Sequence, residues 1–225
     1  LSKPHLLFII SFVLGFCSSA FGQASVDTIA KRDWLLVNQY RPTQYFFGEL
    51  FQKGHHQAVL INENEKEMSF SLQFFEWQGK EWKLKNTFTS LSFYHAVEPE
   101  ITDFNKDGKQ DLLIFIGTGA RGANMFHYLF LYDRKKSSLI EIEGFEDITT
   151  PEYDPKKKLI ISTMLSGTVN YEYYKLKGSK VYLVGGESNE REDDGCIRTE
   201  YVIKNGKQVI TSTKKLSEEE CDPFR

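Results

Sequence analysis

The chain has 225 residues, 40% of them hydrophobic and 26% charged, with 28 lysines and arginines against 31 aspartates and glutamates. That length suffices for one well-buried core and is short for two ordinary domains. A formal net charge of −3 offers no basic face of the kind that neutralises nucleic-acid phosphates, so no nucleic-acid partner is expected.

The first element in chain order is "LSKPHLLFIISFVLGFCSSAFGQ". It has a cationic Lys3, an apolar run from Leu6 to Cys17, and small residues ending in Ala20-Phe21-Gly22 before Gln23. This order reads as a secretory leader over residues 1–22, and its apolar run is short for a membrane span. Cleavage is expected near Gly22. Lipid anchoring at Cys17 is disfavoured because Phe16, the residue before it, is not small. The leader contains one of the basic residues and none of the acidic ones, so a single domain over 23–225 would remain, with a net charge of −4 and no membrane span. The expected location is periplasmic or extracellular. Cys196 and Cys221 are then the two cysteines of an exported chain, and they are expected to pair.

"SVDTIAKRDWLLVNQY" predicts a short helix with Asp27 at its start, stopped by Arg41-Pro42. From there to the end the pattern is strand. "YFFGELF", "QAVLI", "MSFSLQFFEW", "EWKLKNTF", "LSFYHAV", "DLLIFIG", "NMFHYLFLY", "KLIISTM", "VNYEYYKL", "KVYLVGG", "CIRTEYVI" and "KQVITST" are short, aromatic or β-branched, and mostly alternating. "WQGKEW", "LKGSKV" and "IKNGKQV" place glycine in tight polar breaks, as antiparallel hairpins require. The predicted fold is all-β, an antiparallel meander of about twelve short strands in a propeller-like arrangement that protects sheet edges.

The most specific signal is "DFNKDGKQDLLI" at 103–114. Asp103, Asn105, Asp107 and Asp111, with the carbonyl of Lys109, can surround one hard cation with oxygens, and Gly108 supplies the tight turn; Ca²⁺ is the expected ion. The loop is not an EF-hand, because Ile114 stands where that motif needs a bidentate glutamate, and a strand replaces its second helix. "GTGARGANMFHY" lacks the Gly-Lys-Ser/Thr and the following helix of a phosphate loop, so it reads as a hairpin whose tip residue Arg121 can contact a partner. His55-His56 reads as ordinary hairpin residues without a ligand cluster. No Gly-x-Ser-x-Gly elbow occurs, and the protein is read as a non-enzyme. In "MLSGTVNYEYYKL" alternation puts Tyr171 and Tyr173 on one face and Tyr174 on the other.

The cation loop and its strand resemble the FG-GAP or VCBS type. The stretches "DFNKDGKQDLLIFIGTGARGANMFHYLFLYD" and "PEYDPKKKLIISTMLSGTVNYEYYKLKGSKVYLV", within residues 95–187, are similar to an exported, propeller-like family with one such loop. Some of its members are periplasmic lysozyme inhibitors and immunity partners of type IV secretion effectors. The resemblance implies a binding role in which a loop bearing Ser166, Gly167 and Tyr171 blocks a lysozyme-like glycosidase. The alternative function is a surface adhesion module, with that loop structural.

Overall fold

The computed structural model describes residues 30–221, so the leader reading and Asp27 as a helix start lie outside the described residues. Helix α1, Lys31–Tyr40, ends where Arg41 turns left-handed with φ of 47°, its N–H bonding Val37 O, and Pro42 prevents continuation.

Three antiparallel meanders follow in chain order. The first sheet is Gln44–Gly48 (β1), Gln57–Asn64 (β2), Ser69–Trp77 (β3) and Trp82–Ser92 (β4). The second is Glu98–Thr102 (β5), Asp111–Gly119 (β6), Asn124–Asp133 (β7) and Ser138–Glu141 (β8). The third runs Pro151–Asp154 (β9), Leu159–Leu165 (β10), Val169–Lys177 (β11), Lys180–Glu192 (β12), Gly195–Lys204 (β13) and Lys207–Ser217 (β14), followed by the one-turn helix Glu218–Cys221 (α2).

The all-β expectation holds, with fourteen strands instead of about twelve. The stretch 91–97, read as a separate strand, gives only its first two residues, Leu91 and Ser92, to the end of β4, and 93–97 is irregular; within β4, Thr89 and Ser90 bulge between the rungs Phe88↔Leu72 and Leu91↔Phe70, with Ser90 at φ 60°. Three short edge strands, β5, β8 and β9, escaped the pattern because "EPEIT", "SLIE" and "PEYD" are acidic or proline-bearing, as edges often are. The three glycine hairpins are present. In the last, Asn205 and Gly206 both have positive φ, which the twist of a two-residue turn demands.

The layers stack in chain order. Leu36 and Tyr40 of α1 cover one face of the first sheet at Ala58, Leu60 and Phe75. The other face of that sheet, through Val59, Ile61, Leu72 and Phe74, packs on Leu112, Ile114 and Phe130 of the second. Leu113, Leu129 and Leu131 on the far side of the second sheet meet Ile160, Tyr174 and Val181 of the third, with Phe145 and Ile148 between. Strand β2 is buried at five consecutive residues for this reason, having α1 on one side and a sheet on the other. Among the described residues the sheets close into neither a barrel nor a propeller ring.

His127 of β7 faces the third sheet, stacked edge-on against Phe115 at 5.5 Å, and its Nδ1 has no hydrogen-bond partner. Burial pulls its imidazole down from 6.5 to about 4. The unfolded chain thus takes up a proton near pH 6.5 that the folded chain refuses until about pH 4. Stability is full above pH 6.5 and declines as pH falls through that window. Urea unfolding at pH 7 and pH 4.5 should show the wild type losing roughly 2 kcal/mol more than His127→Phe. Equal losses would show that this imidazole does not control the acid limb.

Candidate functional site

The β5–β6 connection is built by its own side chains. Asp103 accepts the Asp107 N–H through Oδ1 at 3.0 Å and the Gly108 N–H through Oδ2 at 2.9 Å, while Asn105 Oδ1 also accepts Asp107 N–H at 3.0 Å. Asp107 Oδ1 accepts the Lys109 N–H, and its Oδ2 lies 2.6 Å from Lys109 Nζ. Gly108 at φ 82° completes the turn.

Asp111 opens β6 at 2% exposure, and its Oδ2 has no hydrogen-bond partner. Burial first, then the negative charge of Asp107 and more weakly of Asp103, pushes its carboxyl up to about 7, against the pull of the Tyr132 backbone amide. No three His, Cys, Asp or Glu side chains among the described residues are gathered as a metal would gather them; the Lys109 ammonium is the cation beside Asp107. The residues nonetheless fit a hard divalent ion chemically. Every donor is oxygen, and one is a buried carboxylate oxygen lacking any partner.

The opposite end of β6 carries the second cluster. Gly119 leads into a tip at 120–122 where Ala120 and Arg121 both have positive φ, 46° and 59°. Arg121 is exposed. In the third sheet Ser166 and Gly167 form the exposed apex between β10 and β11, with Gly167 at φ 85° and Ser166 N–H bonding Thr168 O at 3.1 Å. Asn124 joins the two tips: its Oδ1 accepts Leu165 N–H at 2.9 Å and its Nδ2 donates to Leu165 O at 3.3 Å. Arg121, Ser166 and Gly167, predicted from separate stretches, therefore belong to neighbouring tips at one end of the molecule. Arg191 adds a second guanidinium there, its Nη1 3.5 Å from Gly167 O.

Tyr171 lies one step down β11, half-buried, opposite Thr163 on one side and Glu187 on the other. Tyr173 shares its face, as alternation requires, and donates its hydroxyl to Glu187 Oε1. Burial and then that bond hold the Tyr173 phenol protonated. Tyr174 turns to the core, bonding Glu172 Oε2 at 2.6 Å. His55 and His56 point apart: His55 Nδ1 is 2.8 Å from Glu76 Oε1, and His56 Nε2 is 3.0 Å from Asp33 Oδ1. They tie the loop before β2 to β3 and to α1.

Sequence reasoning missed Asn124, Asn189 and Arg191. Asn189 is buried at 6% exposure; its N–H bonds Asn170 Oδ1 at 2.8 Å, its carbonyl accepts Thr168 Oγ1 at 2.6 Å, and its Nδ2 donates to Val169 O. Its Oδ1 accepts Arg198 Nε at 3.0 Å beside the Cys196–Cys221 disulfide. No local pattern marks such residues, because their partners lie about twenty to forty positions away.

No family model and no curated protein matches the chain. Among solved structures, a Xanthomonas Type IV Secretion System related protein aligns over 75% of this chain and 93% of its own, at 15% identity and a TM-score of 0.48.

The expected cysteine pair is formed, closing a segment of 25 residues and seating α2 on β13, with Arg198 Nη2 bonding Glu220 O at 3.3 Å. Reduction, or Cys221→Ser, should cost about 3 kcal/mol on the chain-entropy account and release α2. Urea unfolding with and without reductant measures the first, and proteolysis near residue 218 the second. An unchanged midpoint would remove the bridge from the stability of the fold.

Proposed function

We propose that the protein is an exported, calcium-stabilised β protein of propeller-like, stacked-sheet build that binds a lysozyme-like glycosidase and blocks its cleft. The observation that carries this reading is the Asn124 link, which sets the Arg121 tip beside the Ser166–Gly167 apex. A glycosidase cleft of this kind holds two carboxyl groups flanking the scissile bond. A guanidinium offers a paired donor geometry to a carboxylate, and the Ser166 hydroxyl a further donor. Tyr171 supplies a ring and a hydroxyl to the wall of the cleft. An apex already closed between two paired strands gives up little entropy on docking.

The calcium part of the reading is supported by Asp111 Oδ2, a buried carboxylate oxygen without a partner, facing the charge of Asp107 and Asp103. Asp103, Asn105, Asp107, the Lys109 carbonyl and Asp111 would hold the ion. It would neutralise three carboxylates that otherwise repel one another.

Two measurements test the two parts separately. Calcium at about a hundred times its dissociation constant should raise the melting temperature by roughly 5–10 °C over chelator-treated protein, and Asp111→Asn should abolish that response. A wild type indifferent to calcium would remove the ion from the reading. For the target, peptidoglycan lysis by a panel of lysozyme-like enzymes should be suppressed by wild type and restored with Ser166→Ala/Tyr171→Ala, provided both proteins melt alike. Inhibition of none of them, or equal inhibition by the folded double variant, would leave the apex a structural turn.

A further inference from the structure

The apex at 166–168 lacks regular backbone pairing with a neighbouring strand on either side. On one side β9 ends at the rung Pro151↔Ser162, three residues short of Leu165. Thr149 O still accepts Thr163 N–H at 3.1 Å, but beyond it no strand of the described residues pairs with β10 on this side. On the other side the β11–β12 ladder begins only at Tyr171↔Glu187. The backbone at Leu165 and Val169, the last rung before the apex, would have its outward polar groups unpaired. Buried peptide groups rarely stay so.

A carboxamide carries the same donor and acceptor as a peptide bond. Asn124 uses both on the peptide groups of Leu165, Oδ1 to the N–H at 2.9 Å and Nδ2 to the carbonyl at 3.3 Å, as a neighbouring strand would. Asn189 does the like on the far side. Its Nδ2 donates to Val169 O, and its own backbone N–H and carbonyl take Asn170 Oδ1 and Thr168 Oγ1. Asn170 Nδ2 in turn reaches Ser166 Oγ at 3.2 Å. Both asparagines are buried, at 8% and 6% exposure, so neither can itself meet a large partner.

We propose that Asn124 and Asn189 are the positioning residues of the partner-binding end: their amide groups supply the pairing that β9 is too short to give and that β12, though it runs on to Glu192, does not give through its backbone, and they hold the apex in its docking shape. The inference rests on the binding role proposed above for Ser166, Gly167 and Tyr171, but its structural half stands without it. Asn124 has a second effect, since it fixes the spacing of the Arg121 tip from the serine apex. The surface a partner meets is thereby one rigid unit instead of two independent hairpin ends.

The near-isosteric changes Asn124→Asp and Asn189→Asp replace each donor by a carboxylate oxygen. Each leaves a carbonyl, Leu165 O or Val169 O, facing a carboxylate oxygen, while the acceptor bonds to Leu165 N–H and Arg198 Nε are kept. Hydrogen–deuterium exchange of the intact protein should rise about fivefold to tenfold over residues 164–171, the effect of losing one hydrogen bond in a local opening. Exchange in the first sheet and at the centres of β6 and β7 should hold. Unchanged exchange at the apex, or acceleration spread evenly over the molecule, would overturn the proposal. Against whichever lysozyme-like enzyme the wild type inhibits, the inhibition constant should rise about tenfold in each variant, as expected when a docking loop must be ordered on binding. Ser166→Ala should weaken inhibition with exchange unaltered. A loosened apex with undiminished inhibition would also overturn the positioning role. If wild type inhibits no enzyme of the panel, the partner reading falls and exchange alone decides the structural half. Should Asn189→Asp fail to fold, Asn124→Asp, on the other side of the apex, carries the same test.

Discussion

Strands β6 and β7 present Leu112, Ile114, Tyr128 and Phe130 to the first sheet and Leu113, Leu129 and Leu131 to the third. A sheet apolar on both faces cannot lie at a surface, and each fully buried side chain of this size contributes roughly 1.5–3 kcal/mol over exposure. The two flanking sheets are the only way to cover it. The order of the stack then follows from the order of the chain, because each meander packs against the one made just before it. Outer faces need less. The first sheet is sealed by α1, and the third leaves its far strands to solvent, with β14 guarded along its edge by Lys207, Lys214 and Lys215.

Burial on both faces also forces a solution for every polar group trapped between the layers. Gln57, fully buried, accepts Phe51 N–H at 2.8 Å and donates to Tyr132 Oη at 3.0 Å. Tyr132 passes its own hydrogen to Gln52 Oε1 at 3.2 Å, and the Gln52 amide meets His55, which leans on Glu76. This chain gives His55 a structural place, while His56 bonds Asp33 of α1 outside it. His55 completes a satisfied network where a half-satisfied one would be costly. Among the described residues His127, Asp111 and Glu146 are the departures from that rule, each with one buried atom lacking a partner.

What could be read in the sequence was whatever local physics specifies. Glycine at positive φ gave the hairpins, alternation gave the tyrosine faces, and alternate oxygens ahead of "DLLIFIG" gave the loop and its strand. Strands whose residues are chosen for being edges, such as "EPEIT" and "PEYD", carry charge and proline in place of a hydrophobic pattern and so were silent. The apolar residues Phe93 and Val97 made 91–97 look like a strand, but they enter the core from an irregular segment that follows the end of β4 at Ser92. The meeting of the Arg121 and Ser166 tips was beyond any local reading. It depends on Asn124 finding Leu165 forty-one positions later, a contact created by stacking whole sheets.

The two clusters occupy opposite ends of one strand, and this separates their effects. Asp111 is the first residue of β6 and Gly119 the last, about 26 Å apart in extended chain. An ion held at Asp111 cannot touch a partner gripped at Arg121 and Ser166. Its influence must pass through the strand itself, by making the folded state that holds β6 in register more populated. On the proposed reading, the loop at 103–111 would fasten the layer on which both tips are mounted, while the asparagines would set the tips' local shape. Stability and recognition would then use different residues, joined by the rigidity of a sheet buried on both faces.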